Sequence, residues 1–382
     1  MTQGLFDGGP PLRIERWLRL RAQHGRGVWR SAFLVGVICW LPLAALSAAS
    51  GMHTLSDVSF LDDVAAHARY LLAVPLFMLA EIACIPRLGF IAQHFVESGL
   101  VPEAERERFA AAVASTTRLR DSIVVEIAVV ALAYFAVWTL MSSAAPYPSW
   151  HVTDGAGWQR FTTAGWWHLL VSLPILLILL LGWLWRLVLW ARFLWLMSRL
   201  SLRLVPAHPD GMAGLQFVGH SVRVLALLAF ATAVIPAGTI ANRVLLSGDS
   251  PLAYVSVVVS VVLLVICLFA GPLLVFVGQL MQQRRRGVFQ YGSLATRVGQ
   301  EFENVWVRDA QGNGEDPLKA QAFSATTDLF QVVANVYRVG FVPLDLRSLV
   351  WLALATIAPF LPLLLLIAPL DELLKRIVGF LL

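Results

Sequence analysis

"FTTAGWWHLLVSLPILLILLLGWLW", residues 161–185, runs for 25 residues without one Asp, Glu, Lys or Arg. A helix rises about 1.5 Å per residue and a bilayer core is about 30 Å thick, so roughly 20 such residues cross it. Further charge-free runs lie at 31–56, 70–80, 127–153, 224–242, 250–283 and 348–370. The run at 70–80 is short alone, but reaches Pro86 once a single charge, Glu81, is admitted. Seven transmembrane helices are predicted. Barrel strands would instead alternate over about ten residues, and a helix satisfies its own backbone in hydrocarbon. The fold class is therefore an all-α polytopic membrane helix bundle. Its composition, 58 % hydrophobic and 14 % charged, departs from the roughly 25 % charge of soluble domains.

The run at 31–56 contains small residues at Ala48, Ala49 and Ser50, as a signal peptide would. It follows 30 residues with six arginines and is too long for a signal core, so it reads as span 1. Cytoplasmic loops collect Lys and Arg. With the N-terminus inside, segments 1–30, 87–121, 186–223 and 284–347 hold 24 of the 29 basic residues. Only Arg69, Arg160, Arg243, Lys375 and Arg376 fall outside. The expectation is a bacterial inner membrane, N-terminus cytoplasmic and C-terminus periplasmic. The net charge of +5 then reflects topology and contact with the lipid bilayer, not nucleic acid. Tryptophans 150, 158, 166 and 167 mark one interface, and 183, 185, 190 and 195 the other.

The organisation reads as a basic cytosolic segment at 1–30, spans 1–6 over 31–283, a cytosolic hairpin at 284–347, span 7 at 348–370 and an amphipathic tail at 371–382. Two helical extensions are expected within 31–283. "VPEAERERFAAAVASTTRLRDS" carries Pro102 and three glutamates where a helix N-terminus favours them. That rod, 102–121, would run unbroken into span 3 and project into the cytoplasm. Residues 187–204 place Arg192, Arg199 and Arg203 on one face, which predicts an interfacial helix or a partner-binding one. In the hairpin, apolar residues recur at helical spacing on both sides of "AQGNGEDP". It is too small to bury a core alone and should pack on the rod or a second subunit. A homo-oligomer and a cytosolic protein partner are both expected.

"RLVPAHPDGM", residues 203–212, sets His208 and Asp210 between prolines. Pro-Asp-Gly fits a type I turn, and Asp210 can cap the next helix. His208-Pro209-Asp210 is similar to the motif of the chaperone J-domain, yet its Leu, Trp and Val flanks are foreign to that soluble, charged module. "PAHPDGMAGL", with "ATTDLFQVVANVYRVGFVPLDLR" and "APFLPLLLLIAPLDELLK", resembles a group of uncharacterised bacterial polytopic membrane proteins. That resemblance implies fold and location, and no activity.

Cys39, Cys84 and Cys267 lie far apart within spans, with no zinc spacing or disulfide framework. No phosphate loop, dinucleotide fingerprint or nucleophile elbow is present, so no cofactor and no catalytic residue is assigned. A membrane enzyme ranks behind other functions. Outer residues His53, Asp57, Asp62, Asp63, His67, His151 and Asp154 could assemble an external metal site, although polar loops produce such clusters by default.

Charges inside spans carry more meaning, because each costs at least about 2.5 kcal/mol at a helix centre. Glu81 and Glu126 fall near the inner ends of spans 2 and 3, with Arg87, Arg186, Arg118 and Arg120 as counter-ions. They read either as a salt-bridged pair or as a cation vestibule. Pro75, Pro174, Pro236, Gly238, Gly271-Pro272, Pro359 and Pro362 interrupt spans as in transporters. The leading expectation is a channel or secondary permeator for an ion or small solute. A membrane-anchored sensor or scaffold acting through its cytosolic helices is the alternative.

Overall fold

A computed structural model describes residues 5–6, 8–9, 26–49, 59–142, 149–153, 160–304, 307 and 321–363. Among these, seven helices are long and apolar enough to cross a membrane. They are α1 (Arg26–Ala49), α2 (Val64–Glu97), α4 (Ile123–Met141), α5 (Thr163–Met197), α6 (Gln216–Ser247), α7 (Pro251–Glu303) and α9 (Leu346–Leu363). Two more, α3 (Arg106–Arg120) and α8 (Gln321–Tyr337), lie between them. The chain is an all-α multi-pass membrane protein. Its strands among the described residues are a two-residue antiparallel ladder pairing Val152 with Phe161 and Thr153 with Arg160.

Helix α2 is central and packs on α1, α5 and α6. Helix α4 rests on α5, α7 on α9, and α9 on α6. The prolines explain two irregularities. Proline removes an N–H and collides with the carbonyl four residues earlier. Immediately before Pro75 the helix widens to a π-turn at Ala68–Ala73, and before Pro174 to another at His168–Ser172. Gly271-Pro272 and Pro359 are instead absorbed by short 3-10 turns, Gly271–Phe276 and Ala358–Phe360.

Two local expectations change. The rod does not run unbroken: α3 ends at Arg120, Ser122 is extended, and α4 starts at Ile123. Asp and Ser compete with helical backbone bonds, and Arg120 grips the Asp121 carboxylate at 2.7 and 2.8 Å. Helix α3 lies along α5, whose Arg192 donates to Ser115 and Thr116 at 3.0 and 3.2 Å. No separate interfacial helix follows span 4 either, since α5 continues unbroken to Met197. Residues 187–197 of that helix bury Leu187, Leu189, Trp190, Phe193, Leu194 and Met197 against protein.

On the side carrying the basic segments, Phe95 packs with Phe193, Phe217 and Phe276. The N-terminal segment joins this core: Leu5 and Phe6 are buried, and Phe6 meets Trp190 and Phe193 edge-on at 5.5 and 6.3 Å. The hairpin forms as α8 packed on the extension of α7. Its turn at 310–317 and the tail at 371–382 lie outside the described residues.

Candidate functional site

Polar side chains are buried at two levels of the seam between α2 and α5. The first level is built by the two π-turns. They bring Tyr70 and His168 together edge-to-face, ring centroids 5.7 Å apart. The outer loop adds His151, 4.4 Å from His168, and Trp150, 5.6 Å from it. The loop is clamped: Thr162 N–H donates to the His151 carbonyl at 2.8 Å, and the Thr162 hydroxyl to the Trp150 carbonyl at 2.8 Å. Gly165 permits the approach, because any Cβ there would strike the His151 carbonyl. From α1, the Cys39 carbonyl accepts the Ser172 hydroxyl at 2.8 Å.

His151 and His168 are each 5 % exposed, and Tyr70 is fully buried. Tyr70 Oη and His168 Nδ1 have no hydrogen-bond partner among the described residues. Burial pushes the His151 imidazole down to about 3, and the Arg69 guanidinium adds to that shift. The ring is therefore neutral near pH 7. Arg69 donates to Thr239 Oγ1 at 3.2 Å. Asp63 accepts from Ala66 N–H at 3.0 Å and from Trp150 Nε1 at 3.0 Å. Trp40 Nε1 donates to His67 Nδ1 at 2.8 Å, so His67 Nε2–H donates to the Leu61 carbonyl at 2.9 Å.

The second level lies 11 residues along α2, about 16 Å away. Glu81 pairs with Arg186 at 2.7 Å, the arginine 4 % exposed and the acid 20 %. Arg186 Nε also donates to the Gly8 carbonyl at 3.3 Å, and Arg120 Nη1 to the Leu5 carbonyl at 3.0 Å. The N-terminal segment thus covers the ion pair. Arg87 is exposed, and Glu126 is half-buried in the first turn of α4.

His208 and Asp210 form a hydrogen-bonded bend remote from the seam in sequence. Gly211 N–H closes the turn on the His208 carbonyl at 3.2 Å. Asp210 accepts from the N–H groups of Met212, Gly214 and Gln216 at 2.8, 3.1 and 3.2 Å, the last at the start of α6. His208 Nδ1 lies 2.9 Å from Asp210 Oδ1. Gly211, at φ 67°, adopts the left-handed backbone that glycine tolerates, and its carbonyl accepts Gly340 N–H at 2.9 Å. The bend thereby ties the membrane bundle to the end of α8.

Of the outer residues weighed for a metal, His53, Asp57 and Asp154 lie outside the described residues. Among those described, no group of three His, Cys, Asp or Glu is placed to hold an ion. Sequence reasoning passed over Tyr70 and His168, because spans were delimited by Asp, Glu, Lys and Arg alone. A histidine inside a run of leucines was the available signal. In comparisons with known proteins, no family model, curated protein or solved structure matches this chain.

Proposed function

We propose that the protein is a permeator for an ion or small solute, with its route along the seam between α2 and α5. The observation that carries this reading is burial of ionisable side chains at both levels of one interhelical seam, about half a bilayer apart. Burying such groups in hydrocarbon is costly and characteristically marks ion or substrate pathways. On the basic side Glu81 pairs with Arg186, whose Nε is held by the Gly8 carbonyl, and in this reading that contact is a closure. In the expected orientation this closure faces the cytoplasm of a bacterial inner membrane. Glu81 then acts as the latch of a closed mouth rather than as an open cation vestibule.

The test is flux in reconstituted vesicles, read by interior pH and ion-sensitive dyes. Phe6→Ala, which removes the ring wedged against Trp190 and Phe193, should raise flux several-fold over the wild-type protein. Absence of flux in both, with intact folding, refutes permeation.

One observation favours a second reading. Helix α7 continues 53 residues to Glu303 and carries α8 on its extension. A long helical extension of this kind suits a scaffold that presents cytosolic helices to a protein partner or a second subunit. Removal of residues 321–337 that abolishes a cellular phenotype while leaving flux intact would support it.

A further inference from the structure

The chemistry of the upper level indicates what kind of solute it takes, an inference that rests on the permeation reading. Its buried atoms unpartnered among the described residues, Tyr70 Oη and His168 Nδ1, can each donate a hydrogen bond, and the half-buried Arg69 beside them carries a full positive charge. The acceptor one would look for, Asp63, has both oxygens engaged by Ala66 N–H and Trp150 Nε1. Arg69 makes no ion pair with a carboxylate among the described residues, only the bond to Thr239. Buried polar groups normally find partners, and one left without a partner calls for explanation, such as an ion or ligand that completes it.

We propose that Arg69, Tyr70 and His168 bind a small monoanion, a carboxylate or a halide, as the transported solute. The charge balance is explicit. Groups that act electrostatically on this locus are Arg69, Asp63, Cys39 and His151. Arg69 and Asp63 offset one another, so an entering anion leaves one negative charge. A proton taken up by His151 or His168 restores neutrality. The anion therefore travels with a proton, and binding tightens as pH falls.

The test is the thermal stability of the purified full-length protein, titrated with sodium acetate or sodium chloride against sodium gluconate at matched ionic strength. Wild-type protein should be stabilised saturably, by acetate if the solute is a carboxylate and by chloride if it is a halide. Affinity should rise progressively as pH falls from about 7 towards the pKa of about 3 that His151 has without the anion. Tyr70→Phe keeps the ring and removes the donor, and should weaken binding about tenfold, equivalent to about 1.4 kcal/mol. Arg69→Gln should abolish it. No saturable effect of either anion, the wild-type affinity in both variants, or an affinity independent of pH would overturn the proposal. Cation flux without anion binding would overturn this site and leave permeation standing. Anion binding without flux would do the reverse.

Discussion

Spans 5 and 6 have similar greasy sequences and opposite surroundings. In the most apolar window of span 5, half the residues are buried within the protein, against 11 % in span 6. Span 5 packs on α2 and places Thr239 against Arg69. Span 6 turns Val257, Val259, Leu263 and Leu264 outward. Apolar character thus says that a helix crosses the bilayer, and not whether it faces lipid or protein. What separates the two regions is a few polar groups: on span 5, Asn242 accepts Val64 N–H at 3.1 Å and Thr239 accepts from Arg69, both on α2.

The sharpest way to break this contrast is at the ion pair. Glu81→Gln leaves Arg186 buried without its counter-ion, and breaking such a pair costs about 3–5 kcal/mol. Thermal or denaturant unfolding in detergent should register it. By contrast, Leu264→Ala on the outward face of span 6 should change stability by no more than about 0.5 kcal/mol.

His151 gives a pH-dependent version. Its folded pKa, about 3, lies below the ordinary 6.5, so the unfolded chain takes up the proton first. Its contribution is intact above about pH 6.5 and is lost as pH falls towards 3, by about 1.4 kcal/mol per unit. The stability–pH curve of His151→Gln should be flatter by that amount across this window. Identical slopes would mean that the ring is not sealed from water.

The bend is the smaller case. Asp210→Ala removes an acceptor from three backbone N–H groups and should cost about 1.5–3 kcal/mol. His208→Ala should shift stability by less than about 0.5 kcal/mol. A well-folded but inactive His208→Ala protein would make this loop a site.

Much of this architecture is legible in the residues. Charge-free runs long enough to cross a bilayer mark the seven spans, and Pro-Asp-Gly announces the bend at 208–211. Arg186 could be named as a counter-ion of Glu81 because both fall at the same end of their spans. What was not legible depends on tertiary contact. Nothing in "LFDGG" shows that Leu5 and Phe6 fold back onto Trp190 and Phe193. The break after Arg120 is weakly signalled, since Asp121 and Ser122 are tolerated within many helices. The upper site needed two prolines, 99 residues apart, to widen two helices at one level. Periodicity cannot report such a coincidence.

The most direct test of the seam uses the protein's own thiols. Cys39 is fully buried on α1, and its carbonyl is bound by Ser172 of the seam. Cys267 is exposed on the outward apolar face of span 6, a face suited to lipid. Labelling by a small water-soluble thiosulfonate in vesicles, located by peptide mass spectrometry, compares the two. A route along α2 and α5 predicts slow modification of Cys39 in the wild-type protein and faster modification in Phe6→Ala, with Cys267 unreactive in both. Cys39 untouched in both proteins, despite release of the N-terminal segment, would contradict it.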